Sequence, residues 1–194
     1  MMTTLILASA SPRRKELLEQ IGVHFSSLAV DIDESVRSGE LPAVYVERLA
    51  CEKAQAGFDR SGNPDALVLG SDTSVVIDDR ILGKPSSEDE AVAMLMSLSG
   101  KEHQVMTAIA VVGSGIKASQ VVTTQVKFNV LDEKTCRQYW ATGEPADKAG
   151  AYGIQGLGAV FVKSLSGSYT GVVGLPLTET AALLQKHGIT IWHR

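Results

Sequence analysis

The chain has 194 residues, 44% of them apolar and 21% charged, which suits one globular domain with a buried core and room for two lobes. A net charge of −4 and an aromatic content of 5% argue against binding a long nucleic acid, where affinity rests on phosphate neutralisation and base stacking. A small anion held by a local cluster of positive charge remains compatible with this balance.

Two cysteines, Cys51 and Cys136, stand far apart and outside metal-ligand spacing, which predicts free thiols in a reducing compartment. No apolar run reaches the length of a membrane span, and Met1–Ala8 reads as a first strand, not a signal peptide. The expected location is the cytoplasm, away from membranes.

In chain order, Thr4–Ala8 is predicted as a buried strand and Pro12–Gln20 as a helix with Ser11 as N-cap, closed by Gly22. Phe25–Val30 predicts a second strand, running into the acidic loop Asp31-Ile32-Asp33-Glu34. A helix follows over Pro42–Ala56, closed by Gly57. Ala66–Gly70 predicts a strand ending at Ser71-Asp72-Thr73, and Ser74–Ile77 with Arg80–Leu82 a hairpin around Asp78-Asp79. Ser87–Leu98 predicts a helix with a Ser87/Glu90 capping box. Val105–Val112 and Ala118–Val130 are longer strands, then comes a helix over Asp132–Thr142. Gly150–Gly158 reads as a loop, Val160–Lys163 as a strand, Pro176–His187 as a helix and Ile189–Trp192 as a last strand. The mixture predicts an α/β protein with a mixed sheet.

Several residues break local rules, as functional sites tend to. Arg13, Arg14 and Lys15 crowd the first turn of the first helix, the end that is already positive. With Ser9, Ser11 and free backbone N–H groups they form either an anion site or a solvated basic end balanced by Glu16 and Glu19. At helical period Lys53 falls within the stripe of Val46, Leu49, Ala50 and Gly57, where burial alone is expensive, so it either snorkels, the commoner outcome, or is satisfied by a phosphate at the stripe's edge. Asp72, placed after an apolar strand, suits metal or base chemistry and equally a turn. A two-residue turn at Asp78-Asp79 would pair Thr73 with Lys84, a lysine flanked by Gly83 and Pro85. Asp31, Asp33 and Glu34 are a solvated acidic loop unless a cation needs a second carboxylate. His103, just before a strand, reads as structural.

These features occur in a set order: Ser9-Ala10-Ser11-Pro12-Arg13-Arg14, Asp33-Glu34, Lys53-Ala54, Ser71-Asp72-Thr73, Leu82-Gly83-Lys84-Pro85 and Tyr152-Gly153-Ile154-Gln155-Gly156. Together they resemble the Maf family of nucleoside triphosphate pyrophosphatases, from Leu5 to about Leu184. The resemblance implies one such domain over residues 1–194. Its fold would be a curved mixed sheet flanked by helices, two lobes with a central cleft, as in inosine triphosphatases. It also implies a cytoplasmic homodimer that cuts dTTP or UTP between the α and β phosphates, giving the monophosphate and pyrophosphate. Asp72 matches the family's proton acceptor. Glu34, Lys53 and Lys84 match its other catalytic positions, and Arg13, Thr73 and Gln155 those linked to substrate choice.

On that reading Ser9, Ser11, Arg13 and Arg14 hold the triphosphate, and Glu34 with Asp72 bind Mg²⁺ or Mn²⁺. The Gln155 amide, with a donor and an acceptor, would meet the edge of uracil or thymine. Without the resemblance, Gly153–Gly158 reads as an ordinary flexible loop. The alternative in another class is a non-catalytic nucleotide-binding regulator of cell division or septum formation. A kinase or nucleotidyltransferase is disfavoured, because no Walker-type loop is present.

Overall fold

A computed structural model describes residues 4–192. Strand β1 (Thr4–Leu7) leads through Ser9-Ala10-Ser11 into helix α1 (Pro12–Gln20), with proline at its first position; Met1–Thr3 of the predicted first strand lie outside the described residues. The Ser11 side chain makes no capping bond. Strand β2 shrinks to Ser26–Ser27, paired in parallel with Ile6 and Leu7. The predicted continuation to Val30 does not form. Leu28 and Val30 instead pack against Ile6, Ala8, Ala66 and Val68.

Helix α2 (Pro42–Ser61) runs past Gly57 and stops at Gly62, whose φ of 60° is left-handed. Gly57 therefore marks a tight crossing, not a stop. A Cβ there would lie 2.8 Å from Val68 Cγ1 and 2.9 Å from Ala8 Cβ. Strand β3 (Ala66–Ile77) likewise continues through Gly70. A Cβ at Gly70 would lie 2.3 Å from the Ala50 carbonyl oxygen, so this glycine admits the backbone of α2. Asp72 accordingly sits inside a strand, not beyond one as predicted.

The hairpin to β4 (Arg80–Leu82) has Asp78 and Asp79 both at positive φ, as a two-residue turn between twisted strands requires. Its register, Val75 with Leu82 and Ile77 with Arg80, is the predicted one, but the ladder ends before Thr73 and Lys84. Helix α3 (Glu88–Leu98) has half of the predicted capping box. Ser87 Oγ accepts the Glu90 N–H, while the Glu90 carboxylate accepts from Ser86.

Strands β5 (Glu102–Gly113) and β6 (Ile116–Phe128) follow, then α4 (Glu133–Trp140), capped by Asp132. Short 3-10 turns at Glu144–Asp147, Ala149–Ala151 and Leu157–Phe161 lead to β7 (Val162–Ser166). A short helix α5 (Tyr169–Val173), not predicted, precedes α6 (Leu177–Lys186). The strand predicted at Ile189–Trp192 does not form. Ile189 and Ile191 are buried, but Trp192 takes a φ of 63° and donates one bond to the Ile21 carbonyl, which cannot build a ladder.

The strand order is β2-β1-β3-β5-β6-β7, with β4 paired to β3. Parallel pairs at β1 and antiparallel pairs at β3–β4 and β6–β7 make the sheet mixed, as predicted. The chain divides into two compact units. The first holds the chain through Asp72, Thr107–Val122 and the residues from Gly174 onward; the second holds Thr73–Met106 and Thr123–Val173. In the first, Leu5, Leu7, Val46, Leu49, Val68 and Leu69 are buried. In the second, Val75, Leu95, Leu98, Phe128, Tyr152 and Phe161 belong to one apolar cluster. Among the described residues no helix is long and apolar enough to cross a membrane.

Candidate active site

The first unit brings together residues from four distant stretches. Helix α2 turns Val46, Leu49, Ala50, Ala54 and Gly57 inward, and Lys53 shares that stripe at 9% exposure. Its ammonium does not snorkel. Lys53 Nζ lies 2.7 Å from Asp72 Oδ1 and 2.7 Å from Glu34 Oε1. Asp72 is itself buried on β3, whereas the Glu34 side chain is half exposed. The rule-breaking lysine thus has two anionic partners, which offset the cost of taking its charge out of water.

The start of α1 lies within electrostatic reach of this group. Burial lowers the pKa of the Arg14 guanidinium; Asp72 and Glu34 oppose that shift and Arg13 adds to it. Arg14 Nε donates to the Gly174 carbonyl at 2.9 Å, and Nη1 contacts Ser9 Oγ at 3.4 Å. Buried Ser9 Oγ also accepts the Ser11 N–H at 3.1 Å, and Ser71 Oγ donates to the same Gly174 carbonyl. Ser9, Ser11, Arg13, Arg14, Glu34, Lys53 and Asp72 therefore form one neighbourhood, with no acidic residue in the first turn of α1.

Thr73, Lys84 and Gln155 belong to the second unit. Thr73 follows Asp72 directly in β3. Lys84 is exposed between buried Pro85 and Gly83, whose carbonyl accepts the Gly150 N–H at 3.0 Å. Gln155 is exposed on a segment that is folded around one carboxylate. Glu144 accepts from Leu157 N–H at 2.8 Å, Gly158 N–H at 3.0 Å and Tyr139 Oη–H at 2.6 Å, while Tyr139 Oη also accepts the Gly153 N–H. A Cβ at Gly156 would lie 2.2 Å from Glu144 Oε2, so the glycine lets the chain wrap that carboxylate. The Tyr139 phenol is pushed up chiefly by burial and then by Glu144.

Sequence reasoning missed Glu144 and Tyr139, and it missed Tyr45, Arg48 and Glu40. Arg48 is engaged by the Glu40 carboxylate. Tyr45 Oη donates to the Glu34 carbonyl at 2.9 Å, and its pKa rises to about 12 through burial and the nearby charges of Asp72 and Glu34. His103 is structural as expected. It is buried, its Nε2 is 2.8 Å from Tyr152 Oη, its ring is T-shaped against Phe128, and burial lowers its pKa to about 4.

Among the described residues no group of three or more His, Cys, Asp or Glu could hold a metal alone. Glu34 and Asp72 nevertheless supply two hard oxygen donors facing one ammonium. That pair suits Mg²⁺ or Mn²⁺, which commonly takes one or two carboxylates and completes its shell with water and phosphate oxygens.

A mixed α/β fold that sets Lys53 between two carboxylates, within electrostatic reach of an arginine at a strand-to-helix turn, is suited to a protein that handles small anions. The chain belongs to the Maf family, whose profile, described as Maf-like protein, matches residues 4–187. It is 54% identical over 190 residues to a protein named dTTP/UTP pyrophosphatase from Saccharophagus degradans, covering 97% of this chain and 90% of that one. The protein of that name from Hahella chejuensis is 53% identical over 191 residues, covering 97% and 94%. The one from Vibrio parahaemolyticus is 55% identical over 183 residues, covering 94% and 96%. A solved structure titled as the Staphylococcus aureus Ham1 protein aligns at TM-score 0.43 and 14% identity, over 67% of this chain and 73% of its own.

Proposed function

We propose that this protein hydrolyses pyrimidine nucleoside triphosphates, dTTP and UTP, between the α and β phosphates, releasing the monophosphate and pyrophosphate. The observation that carries this reading is Lys53 held at 2.7 Å by both Glu34 and Asp72, within electrostatic reach of Arg14 at the start of α1. The names of the relatives from Saccharophagus, Hahella and Vibrio support the substrate class. The net charge of −4 and the confined basic cluster favour a small polyanion over a nucleic acid polymer.

The backbone N–H groups of the first turn of α1, with Ser9, Ser11, Arg13 and Arg14, receive the triphosphate. Asp72 takes the proton of the attacking water as its oxygen bonds to the α phosphorus and the bridge to the β phosphate breaks. Lys53 offsets the charge that develops on the departing pyrophosphate, in a transfer governed by positioning and charge, and the family resemblance assigns Lys84 to the same task. A divalent cation held by Glu34 and Asp72 would neutralise phosphate charge and make the water more acidic. Thr73 and Gln155 select the base. The family resemblance adds a cytoplasmic location and a homodimer, the latter checked by light scattering of the purified protein.

The test is a panel of nucleoside triphosphates with Mg²⁺ or Mn²⁺ and identification of the phosphorus products. The expected products from dTTP and UTP are monophosphate and pyrophosphate; orthophosphate would overturn the reaction. Asp72→Asn should lower kcat by roughly 10²- to 10⁴-fold with nucleotide still bound. A variant that keeps full turnover removes Asp72 as the base.

A further inference from the structure

Residues 28–41, which join β2 to α2 and carry Glu34, form neither helix nor strand. No ladder fixes the place of that carboxylate. Side chains of α2 grip this stretch instead. Tyr45 Oη donates to the Glu34 carbonyl at 2.9 Å, and Arg48 Nη2 donates to the next carbonyl, Ser35, at 3.0 Å. Arg48 also forks onto Glu40, near the end of the stretch, with Nε to Oε1 at 2.6 Å and Nη2 to Oε2 at 2.8 Å. Glu40 Oε2 accepts the Arg37 N–H at 3.0 Å, and Glu52 of α2 binds both Arg37 and Arg48.

This is not a solvated surface pair, which would contribute little. The Arg48 and Glu40 side chains are 11% and 5% exposed, and the Arg48 guanidinium lies 5.5 Å from the centre of the Tyr45 ring. A planar fork matches a carboxylate in two bonds, which a lysine in its place could not reproduce. The helix that grips the Glu34 backbone also carries Lys53, the ammonium that meets the Glu34 carboxylate. One rigid element therefore sets both ends of the contact.

We infer that Arg48, with Tyr45, is a positioning residue that places the Glu34 carboxylate against Lys53 and acts on turnover only through Glu34. This rests on the role proposed above for Glu34. Arg48 bonds to Ser35 and Glu40 of the stretch and to Glu52, and it lies over the Tyr45 ring, and none of these is a group placed above at the reacting phosphate.

A double-mutant cycle in the full-length protein tests the route, with kcat and KM for dTTP measured for Glu34→Gln, Arg48→Met and the double variant. Arg48→Met is expected to lower kcat by about 10- to 100-fold, as misplacement of a catalytic group does. Arg48→Lys should fall with it, because it keeps the charge and loses the fork. The double variant should be no slower than Glu34→Gln alone. Tyr45→Phe, which removes one hydroxyl, should lower kcat by about 3- to 10-fold at nearly unchanged KM, and it keeps the inference open to refutation if Arg48→Met does not fold. Multiplying losses in the double variant, or wild-type kcat in both Arg48→Met and Tyr45→Phe, overturns the inference and leaves the proposed reaction standing. A Glu34→Gln variant with wild-type kcat removes the proposed role of Glu34 and this inference together.

Discussion

At the scale of single residues, two carboxylates gather donors in different ways. Glu34 faces Lys53, and Glu144 gathers two backbone N–H groups and a phenol around itself. Bonds to an ionised acceptor are stronger than neutral ones, so a charged centre with three donors helps to hold this glycine-rich stretch. Glu144→Gln turns one acceptor into a donor facing other donors, so bonds to Leu157, Gly158 or Tyr139 must be lost. We expect a stability loss of roughly 1–3 kcal/mol by denaturant unfolding. If Gln155 reads the base, the same variant should narrow the ratio of kcat/KM between dTTP and purine triphosphates more than it slows the best substrate. An equal loss on every base would separate the segment from base choice.

At the scale of elements, the crossing of α2 over β3 decides whether the ammonium and the carboxylate meet. Gly70 lies beneath the backbone of α2, and Asp72 follows two residues later on β3. Gly70→Ala puts a methyl group where the Ala50 carbonyl and the Ala54 N–H stand, at 2.3 and 2.6 Å, so the helix must shift. Overpacking of this kind typically costs about 1–3 kcal/mol. Because α2 carries Lys53, kcat should fall with the melting temperature. Gly57→Ala presses mostly on the side chains of Val68 and Ala8, and it gains about 1 kcal/mol of helix propensity. It should be the milder of the two in both calorimetry and turnover. A Gly70→Ala protein with normal kcat would show that the spacing of α2 and β3 is not what brings Lys53 to Asp72.

At the scale of the whole molecule, acid should weaken the fold in two windows. His103 is held neutral by burial, its pKa lowered from 6.5 to about 4. The unfolded chain takes up a proton that the folded one refuses, so this stability is full above pH 6.5 and falls as the pH drops towards 4. Glu40 is held ionised chiefly by its bonds to Arg48, its pKa lowered from 4.5 to about 2. Its contribution is present above pH 4.5 and disappears between 4.5 and 2. Melting temperature measured against pH should fall through the first window in the native protein. It should fall less there in His103→Gln, which cannot titrate, and a slope equal to the native one would exclude His103 as the source.

Much of the centre is legible in the linear sequence, because the signals are local. A strand, two serines, a proline and two arginines mark the start of α1, and helical periodicity isolates Lys53 on a buried stripe. The hairpin register follows from two aspartates, because a two-residue turn fixes which residues face each other. What Lys53 touches is not local. Its partners lie 19 residues away on either side: Asp72 comes under α2 where Gly57 and Gly70 let the helix settle onto the strands, and Glu34 lies on the stretch that α2 side chains grip. Read in one dimension those glycines look like ends of elements, when close backbone approach is their role. The grip of Arg48 on Glu40 and the folding of residues 153–158 around Glu144 likewise join segments whose sequences carry no mark of each other. Composition and periodicity determined the class of fold and the groups available for chemistry. Tertiary packing alone decided which charges neutralise which, since a buried ion pair depends on the angstrom-scale separation of side chains and not on the order in which they are strung.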